Sequence, residues 1–598
     1  MKKFLMLAVL LGASACSGTG AADLVLLNGR FYTLDDENPW AEAVAIQDEK
    51  IIAVGSNGDV RGLAGSNART IDLDGAFALP GFNDAHVHID ATGALLTGAN
   101  LLDVHVPDAF TERIAAAASR LPEGSWITRG DWGAYELWAM GSAGTMDEEA
   151  PQERFKPHRD LIDDVTPNHP VLVNRHDGEV YLANGKALEL ADITSRTPSP
   201  RGGMIEKDAS GRPTGILTGT AVNLVRRVIP ELPFDTRLAN FVAVLDEART
   251  GGVTTIQDLT RAPQVQVYRE VQRRGDLTCR IQLRPMLDMV EHIDALGISE
   301  GIGDDWIKFI GLKAWVDGIM GSSGAMFFEP YDHMPNNKGL VREIMKPEGR
   351  RGAALSMGVD DHYTDFPPGG FERLLEAAVP TGVPPHVHAI GTLGNRILLD
   401  VYEKVLKEHD MVDSDHRWRV IHAQVVHPSD MPRFGELNLV AEINPYHVTD
   451  DMRWMEERIG HDRSEWAYAF RDLKDAGAVL IFGTDSPGTN AARYYLSPVY
   501  SLYAAVTRQT LEGEPAEGWF PDQRLTIEEA IEAYTKAPAW AAFEEDIKGT
   551  LAPGMLADIA VFDTDLLDAG HNNPAGLLEA NVLYTIAGGR VVYEGEQN

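Results

Sequence analysis

Several short apolar runs in this chain end at a residue that can bind a metal ion. These residues are His86, His88, Lys313, His388, His422 and Asp485. The carboxyl ends of parallel strands meet at one edge, and in a (β/α)₈ barrel that edge builds the active site. Imidazole nitrogen and carboxylate oxygen are ligands that zinc and similar divalent ions accept. The sequence therefore predicts a metal centre at the carboxyl edge of a parallel sheet.

Two His-x-His pairs occur on strand-like segments. His86 and His88 point to one face of an extended segment, so both can reach one ion, and His386 with His388 repeats the spacing. Such a pair alone also fits a hydrogen-bonded or surface histidine pair. Asp485 follows the apolar run 479–483, where burying an unpartnered carboxylate would cost free energy. The groups together favour a metal centre over a purely structural explanation.

Lys313 is the unusual member of the set. A protonated lysine would be repelled by a cation, but burial beside positive charge favours the neutral amine. A neutral amine can take up carbon dioxide to give an anionic carbamate, whose two oxygens could bridge two metals. Lys308 lies on the other face of the same strand and is the weaker candidate. The spacing alone leaves a surface lysine as the alternative.

The middle of the chain alternates apolar strands with amphipathic helical stretches, which is typical of βα units with a buried parallel sheet. Residues 241–250 are helical in pattern, and Gly251 and Gly252 end the helix before a strand at 253–256. Thr526 and Glu529 form a capping box that opens a late helix. The pattern predicts an α/β fold.

Short strands are predicted at both ends of the chain, at 23–30, 43–46, 51–54, 558–562 and 590–593. We interpret them as one small β-domain built from both termini; two unrelated β-caps are the alternative. Residues 103–235 are too many for one crossover and include a strand-like segment at 171–173. They predict an inserted subdomain that stands over the active-site mouth.

The N-terminus has the sequence pattern of an export signal. A basic start, an apolar stretch at 4–12 and small residues at 13–15 precede Cys16, which resembles a bacterial lipobox. We expect a periplasmic protein with lipid attachment at Cys16, anchored to the outer membrane; plain signal-peptide cleavage is the alternative. The only other cysteine is Cys279, so the mature chain has no disulfide of its own. The net charge of −36 argues against a nucleic-acid partner.

The motifs PGFNDAHVH (80–88), GGVTT (251–255), LKAWVDG (312–318), VHAIG (387–391), IHAQ (421–424), GTDSP (483–487) and GTLAPGMLAD (549–558) resemble the amidohydrolase superfamily. They resemble its family-3 branch, which includes N-substituted formamide deformylase. The resemblance implies a distorted (β/α)₈ TIM barrel at 80–548 with the insertion at 103–235. It also implies a β-sandwich from 23–79 and 549–598, after a signal and tether at 1–22.

The resemblance also implies roles for single residues. His86, His88 and Asp485 would hold one of two divalent ions, expected to be zinc. His388 and His422 would hold the second, with carbamylated Lys313 between them. His386 would be a neighbour. His447 would lie near the substrate, and Glu179 stands where relatives often have a substrate-side histidine.

The implied reaction is hydrolysis of a non-peptide, amide-type C–N bond in a small molecule, through a hydroxide activated by the metals. Asp485 would move the proton, and a metal or His447 would polarise the carbonyl. A mononuclear deaminase is one alternative, although Ala389, Gly391 and Val425 stand where its Glu would follow a strand-end His. A non-catalytic ligand-binding lipoprotein is the other, although no metal ligand is missing. A homodimer is compatible with the family.

Overall fold

A computed structural model describes residues 21–102, 104, 106–133, 155–175, 180–321, 323–339, 370–488 and 495–595. The strands of the first half are β1 Ala22–Leu27, β2 Arg30–Tyr32, β3 Trp40–Ala41, β4 Ala43–Gln47, β5 Lys50–Gly55, β6 Ala64–Asp72, β7 Phe77–Pro80, β8 Phe82–Val87, β9 Ile127–Thr128, β10 Val171–Asn174, β11 Val180–Ala183, β12 Gly203–Lys207, β13 Pro213–Gly219, β14 Val253–Leu259 and β15 Arg280–Arg284. Those that follow are β16 Ile307–Phe309, β17 Leu312–Trp315, β18 Pro385–Ala389, β19 Arg419–His422, β20 Val440–Ile443, β21 Val479–Phe482, β22 Ile559–Phe562, β23 Val582–Ala587 and β24 Arg590–Glu594.

The helices of the same residues are α1 Asn57–Arg61, α2 Ile89–Thr97, α3 Pro107–Arg120, α4 Gly185–Leu190, α5 Val222–Arg226, α6 Phe234–Thr250, α7 Ala262–Arg274, α8 Val290–Ala295, α9 Gly370–Ala378, α10 Thr392–Glu408, α11 Pro432–Glu436, α12 Tyr446–Asp451, α13 Met455–Ile459, α14 His461–Ser464, α15 Phe470–Asp475, α16 Pro498–Thr507, α17 Ile527–Tyr534, α18 Lys536–Ala541 and α19 Leu566–Asn572. None of these helices is long and apolar enough to cross a membrane.

Two parallel sheets occupy the centre of the protein. One has the order β16-β15-β14-β8, and the other runs from β17 to β21 in chain order. Every residue of β8, β14, β18, β19 and β20 is buried, as expected for parallel strands covered on both faces. Single parallel bridges, Val87–Ser486 and Met286–Lys313, lie between the two sheets. The α/β class is confirmed, but the predicted barrel is not, because the two sheets are not closed into one.

The local signals read from the sequence match the helix ends. Helix α6 ends at Thr250 with Gly251 as its cap, and Gly252 takes a positive φ before β14 begins. The helix begins at Phe234, earlier than the apolar pattern suggested. Helix α17 has the predicted capping box, in which Glu529 N donates to Thr526 Oγ1 and the Glu529 carboxylate accepts from Thr526 N.

Strands from both chain ends share one sheet. Its order is β24-β23-β22-β7-β2-β3, with β7 parallel to β2 and antiparallel to β22. A second sheet has the order β5-β4-β1-β6, and apolar side chains of both sheets form a common core that includes Leu26, Ile46, Ile559 and Ile586. Strand β7 leads directly into β8, so this terminal region fixes where the first central strand starts.

The region between α2 and α6 has a sheet of its own. Five strands lie in the order β12-β13-β11-β10-β9, and the strand predicted at 171–173 is β10. Two separate clusters of buried side chains surround this sheet, one centred on Phe110 and Trp132 and the other on Leu172 and Leu217. The region therefore has its own core.

Candidate metal centre

The predicted ligands lie in or directly after the central strands, and all but Lys313, the second residue of β17, are near a carboxyl end. His86 is in β8 and His88 follows it, Lys313 is in β17, His388 is in β18, and His422 is the last residue of β19. Asp485 comes after β21 and its backbone N–H donates to the His86 carbonyl, 2.8 Å away. The parallel strands thus bring residues from distant parts of the sequence to one edge.

Donor atoms of three of these residues come close together. Side-chain donor atoms of His86, His422 and Asp485 all lie within 4.8 Å of one another. Asp485 Oδ1 is 3.3 Å from His86 Nε2 and 3.0 Å from His88 Nε2. His86 Nε2 is fully buried and has no hydrogen-bond partner within the described residues. Nitrogen and carboxylate donors at this spacing fit a divalent ion.

His388 and Lys313 are also neighbours of His422. The ring centroids of His388 and His422 are 4.5 Å apart. Lys313 is fully buried, and its Nζ has no hydrogen-bond partner in the described part of the chain. Burial, with the charge of Arg284 added, lowers the pKa of the Lys313 ammonium to about 7. A neutral amine that can form a carbamate is therefore accessible near neutral pH.

His86 and His422 are held neutral, and the Asp485 carboxylate is held ionised. Burial lowers the pKa of the His86 and His422 imidazoles well below their ordinary value. Burial alone would raise the pKa of the Asp485 carboxyl, but the nearby histidines, His86 first, hold it well below its usual range. Neutral imidazole and ionised carboxylate are the forms that bind a metal ion.

Hydrogen bonds at the far ring nitrogens orient two of the histidines. His86 Nδ1 lies 2.5 Å from Glu442 Oε1, and His422 Nδ1 lies 2.6 Å from Asn444 Oδ1. Each oxygen can only accept, so Nδ1 carries the hydrogen and Nε2 is left with its lone pair. Metal-binding histidines are commonly oriented in this way.

Glu442 belongs to a buried ion network that the sequence analysis missed. Its carboxylate accepts hydrogen bonds from Arg284 Nη1 at 2.8 Å and from Arg419 Nη1 at 3.1 Å, and all three side chains are fully buried. A glutamate inside the otherwise apolar run Val440–Ile443 was the available signal, because a buried strand does not carry an unpartnered carboxylate. The arginines could not be assigned to it without the fold.

The backbone is strained where the site is built. His422, Ala423 and Asp485 have φ values of 71°, 40° and 57°, in the left-handed region that residues with a Cβ avoid. Such conformations cost free energy and persist where the surroundings fix them, often at functional sites.

The remaining predicted residues differ in how they are placed. His447 is buried in α12, with Nε2 3.8 Å from Asp485 Oδ2. The ring of His386 packs against Gly311, where a Cβ would come within 2.3 Å of it, and neither ring nitrogen has a hydrogen-bond partner among the described residues. Glu179 and Cys16 lie outside the described residues.

A pocket opens beside the cluster. Polar groups on its wall include Gln424, His447, Asp451 and Asp485, and its apolar part includes Ile390 and Trp454. Asp451 and Gln424 were not predicted as pocket residues, because nothing in their sequence spacing marks them as such.

Comparisons with known proteins identify the family of this chain. Residues 69–593 match the amidohydrolase family. Protein LONG AFTER FAR-RED 3 of Arabidopsis thaliana is 31% identical over 96% of this chain and 92% of its own length. N-substituted formamide deformylase of Arthrobacter pascens is 26% identical over 96% of this chain and 99% of its own length. The solved structure of a metal-dependent hydrolase from Pyrococcus furiosus has a TM-score of 0.69 at 23% identity, covering 91% of this chain and 99% of that one, which shows the same fold. The family match spans most of the sequence, and the chain therefore belongs to the amidohydrolase family.

Proposed function

We propose that this protein is a metal-dependent hydrolase that cleaves a non-peptide, amide-type C–N bond of a small molecule. The observation that carries the proposal is the convergence of His86, His422 and Asp485 donor atoms within 4.8 Å, next to the buried Nζ of Lys313. Unpartnered polar atoms are costly inside a protein, and bound ions with a carbamate on Lys313 would satisfy them. Family membership supports a hydrolase.

The donor set fits two divalent ions. His86, His88 and Asp485 would hold the first, His388 and His422 the second, and a carbamate on Lys313 would serve both; we propose zinc. Divalent ions bound there supply Lewis acidity, which polarises a carbonyl and lowers the pKa of water toward neutrality.

The protein's own residues would handle the proton and the developing charge. The Asp485 carboxylate stays ionised and is placed to accept the proton of the attacking water and pass it to the leaving nitrogen. Burial lowers the pKa of His447, so this imidazole is neutral, and a tautomer protonated at Nε2 can donate a hydrogen bond to the carbonyl oxygen. Glu442 keeps His86 in the tautomer that binds through Nε2.

Metal content tests this proposal directly. The mature chain, grown with zinc and bicarbonate, should contain two ions, and native mass spectrometry should show the added mass of one carbon dioxide. Lys313→Ala should lose the carbon dioxide, at least one ion and the hydrolysis of N-acyl and N-formyl amines. Lys308→Ala is the matched control, because Lys308 Nζ lies 3.5 Å from Glu544, away from the cluster. A full complement of metal in Lys313→Ala would refute the bridging role.

We also propose that the two central sheets are parts of one distorted barrel, with the domain limits and the insertion at 103–235 given above. Bridges between the sheets at Val87–Ser486 and Met286–Lys313 support this. Export and lipid attachment at Cys16, and a homodimer, are proposals from the sequence alone. Membrane fractionation of the wild type and of Cys16→Ala tests the anchor, and light scattering of the mature chain tests the dimer.

A further inference from the structure

Asp451 is a buried carboxyl group on the wall of the pocket beside the metal centre. It is the last residue of α12 and 6% of its surface is exposed. It shares the pocket with His422, His447 and Asp485, and the mechanism above does not use it. The oxygens of this buried carboxyl group can contact neighbouring side chains or a ligand that enters the pocket.

The protein holds one oxygen of this carboxyl group firmly. Oδ2 accepts a hydrogen bond from Gln424 Nε2 at 3.0 Å and from Tyr468 Oη at 2.5 Å. Tyr468 has a φ of 52°, and its carbonyl accepts from the buried Arg508 Nη1 at 2.8 Å. The strained backbone and these bonds fix the direction in which Asp451 points.

The other oxygen is left for the pocket. Oδ1 has no hydrogen-bond partner in the described part of the chain, and Asp451 is one of the residues that line the pocket. Oδ2 already accepts two hydrogen bonds, so Oδ1 is the oxygen that can carry a proton or accept a hydrogen bond from a ligand. Asp451 thus offers one polar atom for a ligand in the pocket.

The surroundings of Oδ1 favour a cation. The described residues that line the pocket include no Lys or Arg, and Ile319, Ile390 and Trp454 form apolar parts of its wall. A carboxylate within an apolar wall is most stable beside a cation that donates a hydrogen bond to it. Burial, with Asp450 beside it, raises the pKa of Asp451 to about 8, and the charge of Arg458 offsets this only in part. The Arg458 guanidinium lies over the Trp454 ring and donates to the Met320 and Gly321 carbonyls. A ligand cation at Oδ1 would take the place of the proton.

We propose that the substrate of the hydrolase carries a protonated amine away from its scissile bond, and that Asp451 Oδ1 accepts a hydrogen bond from it. The inference rests on the proposed function, since it names the class of substrate for the same site. Asp451 is then a residue that determines specificity, and Gln424 and Tyr468 position it.

Binding and hydrolysis are measured together on the zinc-loaded mature chain. The probes are mono-N-acetylated straight-chain diamines of several lengths, each paired with the N-acetyl alkylamine of equal length. Asp451→Asn keeps the shape of the side chain and removes its charge. The matched control is Asp462→Asn, the same substitution on an exposed residue of α14.

We expect the best diamine probe to bind the wild type roughly 10- to 100-fold more tightly than Asp451→Asn, the effect of losing one charged hydrogen bond. The matching alkylamine should bind both proteins equally, which also shows that the pocket of the variant is intact, and Asp462→Asn should behave as the wild type. Equal diamine affinity in the wild type and Asp451→Asn, or no preference for any diamine in the wild type, overturns the inference. Selective binding without hydrolysis of any amide supports the amine site and counts against the proposed function.

Discussion

Replacing Glu442 by Gln should both destabilise the fold and weaken the metal site. The substitution keeps the size of the side chain but removes the only carboxylate, within the described residues, that hydrogen-bonds to Arg284 and Arg419. Burial alone would raise the pKa of Glu442, but these two arginines hold it below its ordinary value, so the native group is ionised at neutral pH. Removing one partner of a buried ion pair costs about 3–5 kcal/mol, because the remaining charge stays buried.

The effect on metal binding has a separate origin. A Gln at this position can present either its amide oxygen or its amide nitrogen to His86 Nδ1, so the tautomer of His86 is no longer fixed. Loss of such an orienting partner lowers metal affinity by roughly 10- to 100-fold. The lower affinity should be found for the ion that His86 binds.

Two assays separate these effects. Thermal unfolding of the metal-free protein reports the loss of the ion network, and competition with a chromophoric chelator reports zinc affinity. Glu436→Gln is the control, since Glu436 is exposed at the end of α11 just before β20. If Glu442→Gln unfolded at the wild-type temperature and bound zinc as tightly, the network would not have the role assigned to it.

Three further predictions follow from the site and its supports. His447→Gln should lower kcat by about 100- to 1000-fold at unchanged metal content, and a loss of metal instead would make His447 a ligand. The pKa of Asp451 rises from 3.8 to about 8 on folding, so the folded state binds this proton more tightly. The free energy of unfolding of the wild type should therefore fall as the pH rises from 3.8 to about 8, by at most about 1.4 kcal/mol per pH unit relative to Asp451→Asn. The prediction is wrong if denaturant unfolding gives the two proteins the same dependence of this free energy on pH. Asp558→Asn should destabilise the protein by about 3–5 kcal/mol, because the buried Arg280 loses its counter-charge and the amide can accept only one of its two hydrogen bonds, of 2.7 and 3.0 Å. Unchanged denaturant unfolding would refute this.

Two of the predicted ligand positions could be read from the sequence because they depend on local chemistry, whereas Lys313 was assigned through the family resemblance. A polar ligand directly after an apolar run, as at His422 and Asp485, marks a strand end without knowledge of the fold. The same holds for the cap of α6 at Gly251 and the capping box at Thr526. Neighbouring residues determine these features.

The supporting network could not be predicted, because its bonds join remote parts of the chain. Glu442 contacts His86 across 356 residues and Arg284 across 158. A shift of one residue in strand register would turn Glu442 away from both. The open Oδ1 of Asp451 likewise depends on where Tyr468 and Gln424 happen to lie.

The place of β7 in its sheet has a consequence for synthesis of the protein. β7 lies between β2, made shortly before it, and β22, which is among the last strands that the ribosome releases. Until Ile559–Phe562 emerges, one side of β7 is an unpaired sheet edge, and such edges invite aggregation. Asp485 likewise emerges some 397 residues after His88. The nascent chain therefore cannot hold a metal ion between these two residues until most of the protein has been made. A chain truncated before β22 would keep that sheet edge exposed next to β8, the strand that carries His86.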